Sequence, residues 1–400
     1  GIVMTSAAGI TIDSGEIRAN QGATTLSAVG DIDVTGYLTA DTDLSLDSSA
    51  GSISTSSEIR ASYGGVTLNA SGGSISVSGE IRANQGAATL SAVGDIDVDA
   101  QLRAATDLSL DSIAGSIETG GEIVAGGAGS FTAAGDVTLE SENIATGASG
   151  SFSGGLQSSG LSGELTVTSE SGNISSDVSQ IQVYSGDLTM TADTGGIDAE
   201  GDIEIQDGSV TLSANQGISL DSLYLESYGA EGAITVKAMG GDVTSSYGSI
   251  RNYGSGGIAL SAAAGITIDS GGVSSYGGAT TLSAVGDIDV TGYLTADMDL
   301  SLDSSAGSIS TSGYIEGARV TMSASGGGIS SGSGDIRASS GDVTLSAVGD
   351  IDVDAELRAA VDLSLDSITG SIETGGEIVA GGTGSFTAAG DVWLESENIA

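Results

Sequence analysis

The fold is decided by residues 64–107, which read GGVTLNASGGSISVSGEIRANQ over 64–85 and GAATLSAVGDIDVDAQLRAATD over 86–107. Both segments follow one frame, close to x-V-T-L-x-A, then G-x-I-x-V, then x-I-R-A. Apolar and polar residues alternate within each piece, and β-branched residues are frequent, which is typical of short strands with one buried face. Glycine, serine, asparagine and aspartate separate the pieces, as expected at tight corners. Each unit of about 22 residues therefore predicts three short strands.

The same frame recurs along the whole chain. A leucine or an equivalent residue anchors the first strand of each unit, at intervals of 20 to 24 residues apart from one step of 34 residues. That longer step contains GASGSFSGGLQSSGLSG (147–163), and it predicts an irregular loop at about 146–163. The predicted anchors are Met4, Leu26, Leu46, Leu68, Leu90, Leu110, Ala133, Val167, Met190, Leu212, Val236, Leu260, Leu282, Leu302, Met322, Leu345, Leu365 and Ala388.

Three short strands cannot bury their apolar faces alone, but stacked units can, because each rung pairs its backbone with the rungs on either side at about 4.8 Å. The sequence therefore predicts an all-β fold, a parallel β-solenoid or β-helix with three-strand rungs, right-handed like other crossover connections. Eighteen anchors give a rod of roughly 85 Å at this spacing. The absence of proline fits, since proline removes a ladder donor. A meander of antiparallel hairpins is the alternative, but its Asn-Gly and Asp-Gly turns are nearly absent.

A much longer repeat contains the short one. Residues 22–56 recur at 278–312 with one change, Thr42 to Met298, and residues 129–145 recur at 384–400 with Thr138 replaced by Trp393. We therefore expect residues 1–400 to form a single continuous solenoid within a longer array. Its super-repeat has a period of 255–256 residues, with 1–256 as the first unit and 257–400 as a partial second unit.

Composition excludes several kinds of function. The 53 acidic and nine basic residues give a formal charge of −44, which disfavours nucleic acid and anionic membranes as partners. Cysteine and histidine are absent, so zinc sites built from them and Ser-His-Asp or Cys-His catalysis are impossible. No apolar run is long enough to insert directly into a membrane. Since so many carboxylates make any acidic pair uninformative, we predict that the protein is not an enzyme and has no catalytic residues.

Stacked carboxylates would repel one another, and the second strand of the rung avoids this. The acidic form GDIDV occurs at 30–34 and 94–98, whereas the two rungs between them carry GSIST (51–55) and GSISV (73–77). This spacing of about 14 Å exceeds a Debye length of about 8 Å. We interpret the charge as a device for solubility. Calcium bridging is the alternative; otherwise no metal or cofactor is predicted.

Tyrosines and arginines are the most distinctive side chains outside the frame. Tyr184, Tyr228, Tyr253 and Tyr276, like Tyr63, each lie a few residues before the first strand of a rung, mostly as Tyr-Gly. The first four predict an aromatic edge for lateral contact or sugar stacking, with corner packing over glycine as the alternative. The outward arginines of the third strands are expected to pair with nearby carboxylates; these are Arg18, Arg60, Arg82, Arg103 and Arg358.

The units ATTLSAVGDIDV (23–34), GGVTLNASGGSISV (64–77) and GSFTAAGDVTLES (129–141) resemble the haemagglutinin-type repeats of large exported bacterial adhesins. These adhesins include filamentous-haemagglutinin-like proteins and repetitive autotransporter passengers. The resemblance covers nearly the whole chain apart from about 146–163, and it implies a right-handed β-helix exported as an unfolded chain. It carries over no functional residues, because the repeats of that family are structural.

The expected function is therefore that of a secreted or cell-surface structural protein, a segment of an extracellular fibre, stalk or sheath that is also adhesive. The expected partner is the chain itself, by head-to-tail or lateral assembly, with glycans or a neighbouring cell surface as further partners. A carbohydrate-binding or polysaccharide-degrading β-helix is the alternative. Sequence alone leaves the ligand and the lateral packing open.

Overall fold

The computed structural model describes residues 1–13, 15–141, 143–147, 150–152, 156–158, 163–395 and 399. They form two units, Gly1–Asp207 and Gly208–Ala400. Each unit is a parallel β-solenoid, and no helix occurs among the described residues. The predicted all-β architecture of parallel, three-strand rungs about 22 residues apart is confirmed.

Most rungs of the first unit contribute one strand to each of three columns. The first-strand column contains Ile2–Ser6, Thr24–Ala28, Leu44–Ser48, Val66–Ala70, Ala88–Ala92, Leu108–Ser112, Gly129–Ala133, Leu165–Ser169 and Leu188–Ala192. The second-strand column contains Ile10–Ile12, Ile32–Val34, Ile53–Thr55, Ile75–Val77, Ile96–Val98, Ile117–Thr119 and Val137–Leu139. The third-strand column contains Glu16–Ala19, Tyr37–Ala40, Ile59–Ala61, Ile81–Ala83, Leu102–Ala104, Ile123–Ala125 and Ile144–Thr146. In the last two rungs the second and third strands merge into Ile174–Val183 and Ile197–Ile205.

The second unit repeats this arrangement. Its first-strand column contains Val210–Ala214, Ala233–Ala238, Gly257–Ala262, Thr280–Ala284, Leu300–Ser304, Val320–Ala324, Val343–Ala347, Leu363–Ser367 and Gly384–Ala388. One merged strand, Ile218–Ser227, precedes separate second and third strands. The second strands are Val243–Ser246, Ile266–Asp269, Ile288–Val290, Ile309–Thr311, Ile329–Ser331, Ile351–Val353, Ile372–Thr374 and Val392–Leu394. The third strands are Ser249–Asn252, Gly272–Ser275, Tyr293–Ala296, Ile315–Gly317, Ile336–Ala338, Leu357–Ala359 and Ile378–Ala380.

The core is a stack of equivalent apolar side chains. Leu68 is in register with Leu46 on one side and Leu90 on the other, and all three are fully buried. Ile75 and Ile81 supply the second and third strands of the same rung, and both are also buried. Outward residues alternate with these inward ones, so every rung closes a small three-sided core that its neighbours cover.

Two predicted anchors are wrong. Leu110 is in register with Phe131, and Leu365 is in register with Phe386, so the phenylalanines take the positions assigned to Ala133 and Ala388. An inward position recurs every second residue along a strand, and both members of such a pair face the core. The larger side chain, Phe131, fills the place of the leucines and is fully buried.

Half of the predicted loop at about 146–163 lies outside the described residues. Within it, Gly150–Phe152 and Leu156–Ser158 pair in antiparallel fashion. At its base, the Thr146 hydroxyl donates a hydrogen bond of 2.7 Å to the carbonyl of Gly163. The first-strand column continues past this insertion, because Gly129–Ala133 pairs directly with Leu165–Ser169.

Side chains extend the ladder around the corner between the first and second strands, where the strands themselves are interrupted. Asp31 Oδ1 accepts a hydrogen bond of 2.8 Å from the backbone N–H of Ser52, and Ser52 Oγ accepts one of 3.1 Å from Ser74. The series continues through Ser74 Oγ to the N–H of Asp95, and through Asp95 Oδ1 to that of Ser116. We call this series, which continues through Ser116, Asp136 and Asn173 to Gly196, the corner ladder.

The corner ladder explains why GDI and GSI can replace one another, since either side chain supplies an acceptor. We predict that Asp95→Ala lowers the free energy of unfolding by about 0.5–1 kcal/mol, because the N–H of Ser116 loses its partner. Asp95→Asn is the matched control and should retain most of the stability, since Asn173 already fills an equivalent position. Urea denaturation monitored by circular dichroism measures both. Equal destabilisation by the two variants would contradict a role for the acceptor oxygen.

Candidate functional site

The structure brings three of the four predicted tyrosines together in the second unit. The rings of Tyr228 and Tyr253 are stacked with centroids 4.7 Å apart and planes 4° apart. Tyr253 and Tyr276 follow at 4.8 Å and 10°. Each side chain is 40–49% exposed. We call these three residues the tyrosine ladder.

Backbone register sets the spacing of the tyrosine ladder. Each tyrosine directly follows the last residue of a third-strand segment, and those last residues, Ser227, Asn252 and Ser275, are in register and buried. The Tyr253 N–H donates to the carbonyl of Ser227, and the Tyr276 N–H donates to that of Asn252, both at 2.8 Å. The rings are therefore held one rung apart, at the distance between paired strands.

Asn252 holds the corner that carries the middle ring. Its Nδ2 donates to the carbonyls of Gly232, Gly254 and Gly257 at 3.0–3.1 Å, and its Oδ1 accepts from the N–H of Gly254 at 3.2 Å. Every polar atom of this buried amide group therefore has a partner. Asn252 therefore supports the turn that carries Tyr253.

Charged side chains line one side of the tyrosine ladder. The Tyr228 hydroxyl donates to Glu226 Oε2 at 2.5 Å, and Arg251 Nη1 donates to Glu226 Oε1 at 3.0 Å. A hydrogen bond with Tyr293, followed by that with Glu226, raises the pKa of Arg251. Burial, and after it the Glu226 carboxylate, raises the pKa of the Tyr253 phenol. The ladder is therefore a column of neutral phenols beside a paired Glu–Arg couple.

The remaining predicted tyrosines stand apart from this stack. Tyr184 belongs to the first unit, where it follows Val183, is 40% exposed and donates from its hydroxyl to Gln182 Oε1 at 2.8 Å. Its position in the rung is equivalent to that of the three stacked tyrosines. Tyr63 lies one residue further from its third strand, and its N–H donates to the carbonyl of Asp41.

Most of the predicted arginine pairs are present. Arg82 lies 2.6 Å from Glu80, Arg103 lies 2.5 Å from Glu122, and Arg358 lies 2.8 Å from Glu356, while Arg18 is 3.8 Å from Glu16. With the Asn84 amide oriented so that its oxygen faces the guanidinium group, Arg60 instead donates to that oxygen from Nε and Nη2, at 3.0 Å each. Seven of the nine basic residues occupy this outward position of the third strands, namely Arg18, Arg60, Arg82, Arg103, Arg251, Arg337 and Arg358. Sequence reasoning missed Arg251 and Arg337 as members of this set.

The acidic second strands are less widely spaced than predicted. Asp33 and Asp97 are separated by Ser54 and Ser76, as expected. Asp97, however, is in register with Glu118 on the next rung, so the expected gap of three rungs is wrong there. The sequence signal was GSIET (115–119), which fits the same frame as GDIDV. Among the described residues, no group of three or more acidic side chains is arranged to hold a metal ion.

No family model, no curated protein and no solved structure matches this chain. The resemblance to haemagglutinin-type repeats therefore rests on the quoted units and on the solenoid fold. Among the described residues, no helix has the length and apolar content needed to cross a membrane.

The effect of neighbouring charge and burial on Asp97 can be tested by mutation. Burial, and after it the charge of Asp99, raises the pKa of Asp97 above 3.8. A raised folded-state pKa gives a stabilising contribution below about pH 3.8 that is lost as the pH rises through the folded value. At pH 7 the charged form is therefore unfavourable.

We predict that Asp97→Asn increases stability at pH 7, by a few tenths of a kcal/mol at this partly exposed site, and that the gain disappears below about pH 3.8. Asp33→Asn is the matched control, because Thr35 stands where Asp97 has Asp99. The register partners of Asp33, Thr11 and Ser54, are also uncharged. Thermal melting across this pH range measures both. A loss of stability at pH 7, or a gain that persists in acid, would refute this reading.

Proposed function

We propose that this chain is a structural segment of a secreted or cell-surface fibre, stalk or sheath, and that it associates laterally with copies of itself. The observation that carries the proposal is the register of the rungs. In each unit, equivalent residues are superposed over many successive strands, as in the pairing of Leu68 with Leu46 and Leu90. A fold built this way gains length by adding rungs. That property suits a stalk or a fibre.

The acidic side chains support a structural role. Asp31, Asp95 and Asp136 are engaged by backbone N–H groups of the next rung. Carboxylates held in this way complete the ladder, so the proposal assigns them no catalytic step. Those that point outward keep the surface charged and hydrated, which limits unspecific association between sheets.

The tyrosine ladder is the proposed lateral contact, and its proposed occupant is a second copy of the chain. Two copies, each with a formal charge of −44, repel one another, so a contact between them must use neutral surface. The stacked phenols and the Arg251–Glu226 pair beside them provide such a surface. Their spacing of 4.7–4.8 Å equals that of paired strands. A partner with the same rung repeat can therefore meet every ring, with each aromatic pair contributing about 0.5–1.5 kcal/mol.

We predict that replacing Tyr228, Tyr253 and Tyr276 together with serine abolishes concentration-dependent association, as measured by sedimentation velocity. Association of the unchanged chain should strengthen with added salt, because salt screens the repulsion between copies. The single variant Tyr253→Phe keeps the stacked ring and should still associate.

The matched control replaces three exposed tyrosines outside the ladder, Tyr63, Tyr224 and Tyr247, with serine. It removes the same number of rings and should associate like the unchanged chain. Circular dichroism checks that both triple variants remain folded. Unaltered association of the ladder variant would exclude the tyrosine ladder as the contact, and a chain that stays monomeric at high concentration and high salt would exclude self-association. A ladder variant that lost only glycan binding would favour sugar stacking.

A further inference from the structure

An open polar groove lies across three successive third strands of the first unit, Glu16–Ala19, Tyr37–Ala40 and Ile59–Ala61. It has a volume of about 490 Å³, and its walls include Glu16, Arg18, Tyr37, Thr39, Glu58 and Arg60. The middle strand forms the floor. Its volume lies within the range of roughly 300–1,000 Å³ that is usual for small-molecule sites.

Two guanidinium groups flank the floor of the groove. Arg18 and Arg60 are both in register with Thr39, one on each side, so their Cα atoms lie two rungs apart, about 10 Å. Arg18 Nη1 lies 3.8 Å from Glu16 Oε1, and the Arg18 side chain is 64% exposed. Thr39 Oγ1, between them, is buried and has no hydrogen-bond partner. Buried hydroxyl groups are normally paired, so this atom points to an additional partner.

The second unit contains the same middle strand with different neighbours. Residues 278–312 repeat 22–56 with one change, so Tyr293 and Thr295 correspond to Tyr37 and Thr39. Gly272, Ser274 and Glu316 stand where the first unit has Glu16, Arg18 and Arg60.

These neighbours fill the equivalent space in the second unit. Ser274 Oγ lies 2.7 Å from Thr295 Oγ1, which gives the threonine its partner. The Tyr293 ring lies against Gly272, so closely that a Cβ there would be 2.2 Å from the ring. Because Glu16 has a Cβ at that position, the ring of Tyr37 cannot lie down in the same way, and it is 54% exposed. In the second unit Tyr293 is also hydrogen-bonded to Arg251, and Tyr314 stands in the place of Glu58. The groove therefore depends on the residues of the flanking rungs, against an unchanged floor.

The side chains around the groove define the chemistry of its ligand. The carboxylates of Glu16, Asp41 and Glu58 outnumber the guanidinium groups of Arg18 and Arg60, so the groove disfavours an anion. Guanidinium groups donate hydrogen bonds, carboxylates accept them, and Thr39 can do both. The upright face of Tyr37 provides an apolar platform. Such a surface is complementary to a ligand in which hydroxyl groups alternate with C–H faces.

We propose that this groove binds a neutral oligosaccharide. A sugar ring stacks on Tyr37, its hydroxyl groups bind Arg18, Arg60 and Glu58, and one of them reaches Thr39 Oγ1. This site is separate from the tyrosine ladder and is independent of self-association.

The test is isothermal titration calorimetry of the whole chain with a panel of neutral oligosaccharides and a matched set of uronic-acid oligosaccharides. The triple variant Glu16→Gly, Arg18→Ser, Arg60→Glu installs three of the flanking residues of the second unit, where they surround the same middle strand. We expect at least one neutral oligosaccharide to bind the unchanged chain, and the variant to bind it about tenfold or more weakly, as expected for the loss of hydrogen-bonding side chains. Tyr37→Ala should weaken binding to a similar extent.

The matched control makes the same changes elsewhere, as Glu356→Gly, Arg358→Ser and Arg337→Glu, because Glu356 and Arg358 form the same Glu-x-Arg pair. It should bind like the unchanged chain. The proposal is overturned if no neutral oligosaccharide binds, if only the uronic-acid set binds, or if binding survives the groove variant. It is also overturned if binding is lost in the serine variant of the tyrosine ladder, which would place the sugar there instead.

Discussion

Every feature of this protein depends on the parallel backbone ladder between successive rungs. Each N–H and C=O of a strand is paired with a neighbouring rung, so the register of one residue determines which residues lie on either side of it. Leu46, Leu68 and Leu90 are superposed for this reason. A residue type that recurs at one position of the frame therefore forms a column of like side chains, and its contribution to stability recurs on each rung. The absence of proline follows from the same constraint.

Corners are where such a ladder is weakest, because tight turns interrupt the strands. In the corner ladder, aspartate, serine and asparagine side chains replace the missing strand contacts by accepting hydrogen bonds from the next rung. Asp31 and Asp33 belong to one GDIDV motif and yet do different things: the first holds a backbone N–H, and the second points outward from a strand. Part of the acidic content of the chain is thus tied to stability, and the rest contributes to the surface charge.

The two proposed sites arise in opposite ways, one where successive rungs repeat the same residue and the other where they differ. The tyrosine ladder is a product of continuation, since three successive rungs carry a ring at the same corner and the register stacks them. The groove around Thr39 is a product of interruption. Its floor is identical to the strand that contains Thr295, but Arg18 and Arg60 flank one threonine, whereas Ser274 and Glu316 flank the other. A repeat protein can vary its surface in this way without changing its core.

The sequence by itself determined the three-strand rung, its period and nearly all of its inward positions, because alternation and repetition are local properties of the chain. It also placed four of the five named arginines beside carboxylates and named the three tyrosines that stack. It could not separate Phe131 from Ala133, since both face inward, and it missed the approach of Asp97 to Glu118. Only the tertiary structure decided which polar side chains hold corners, how the phenol rings stack and where a groove opens. Those outcomes depend on contacts between rungs some 20 residues apart. The sequence of one rung does not determine how much space the side chains of the next rung leave beside it.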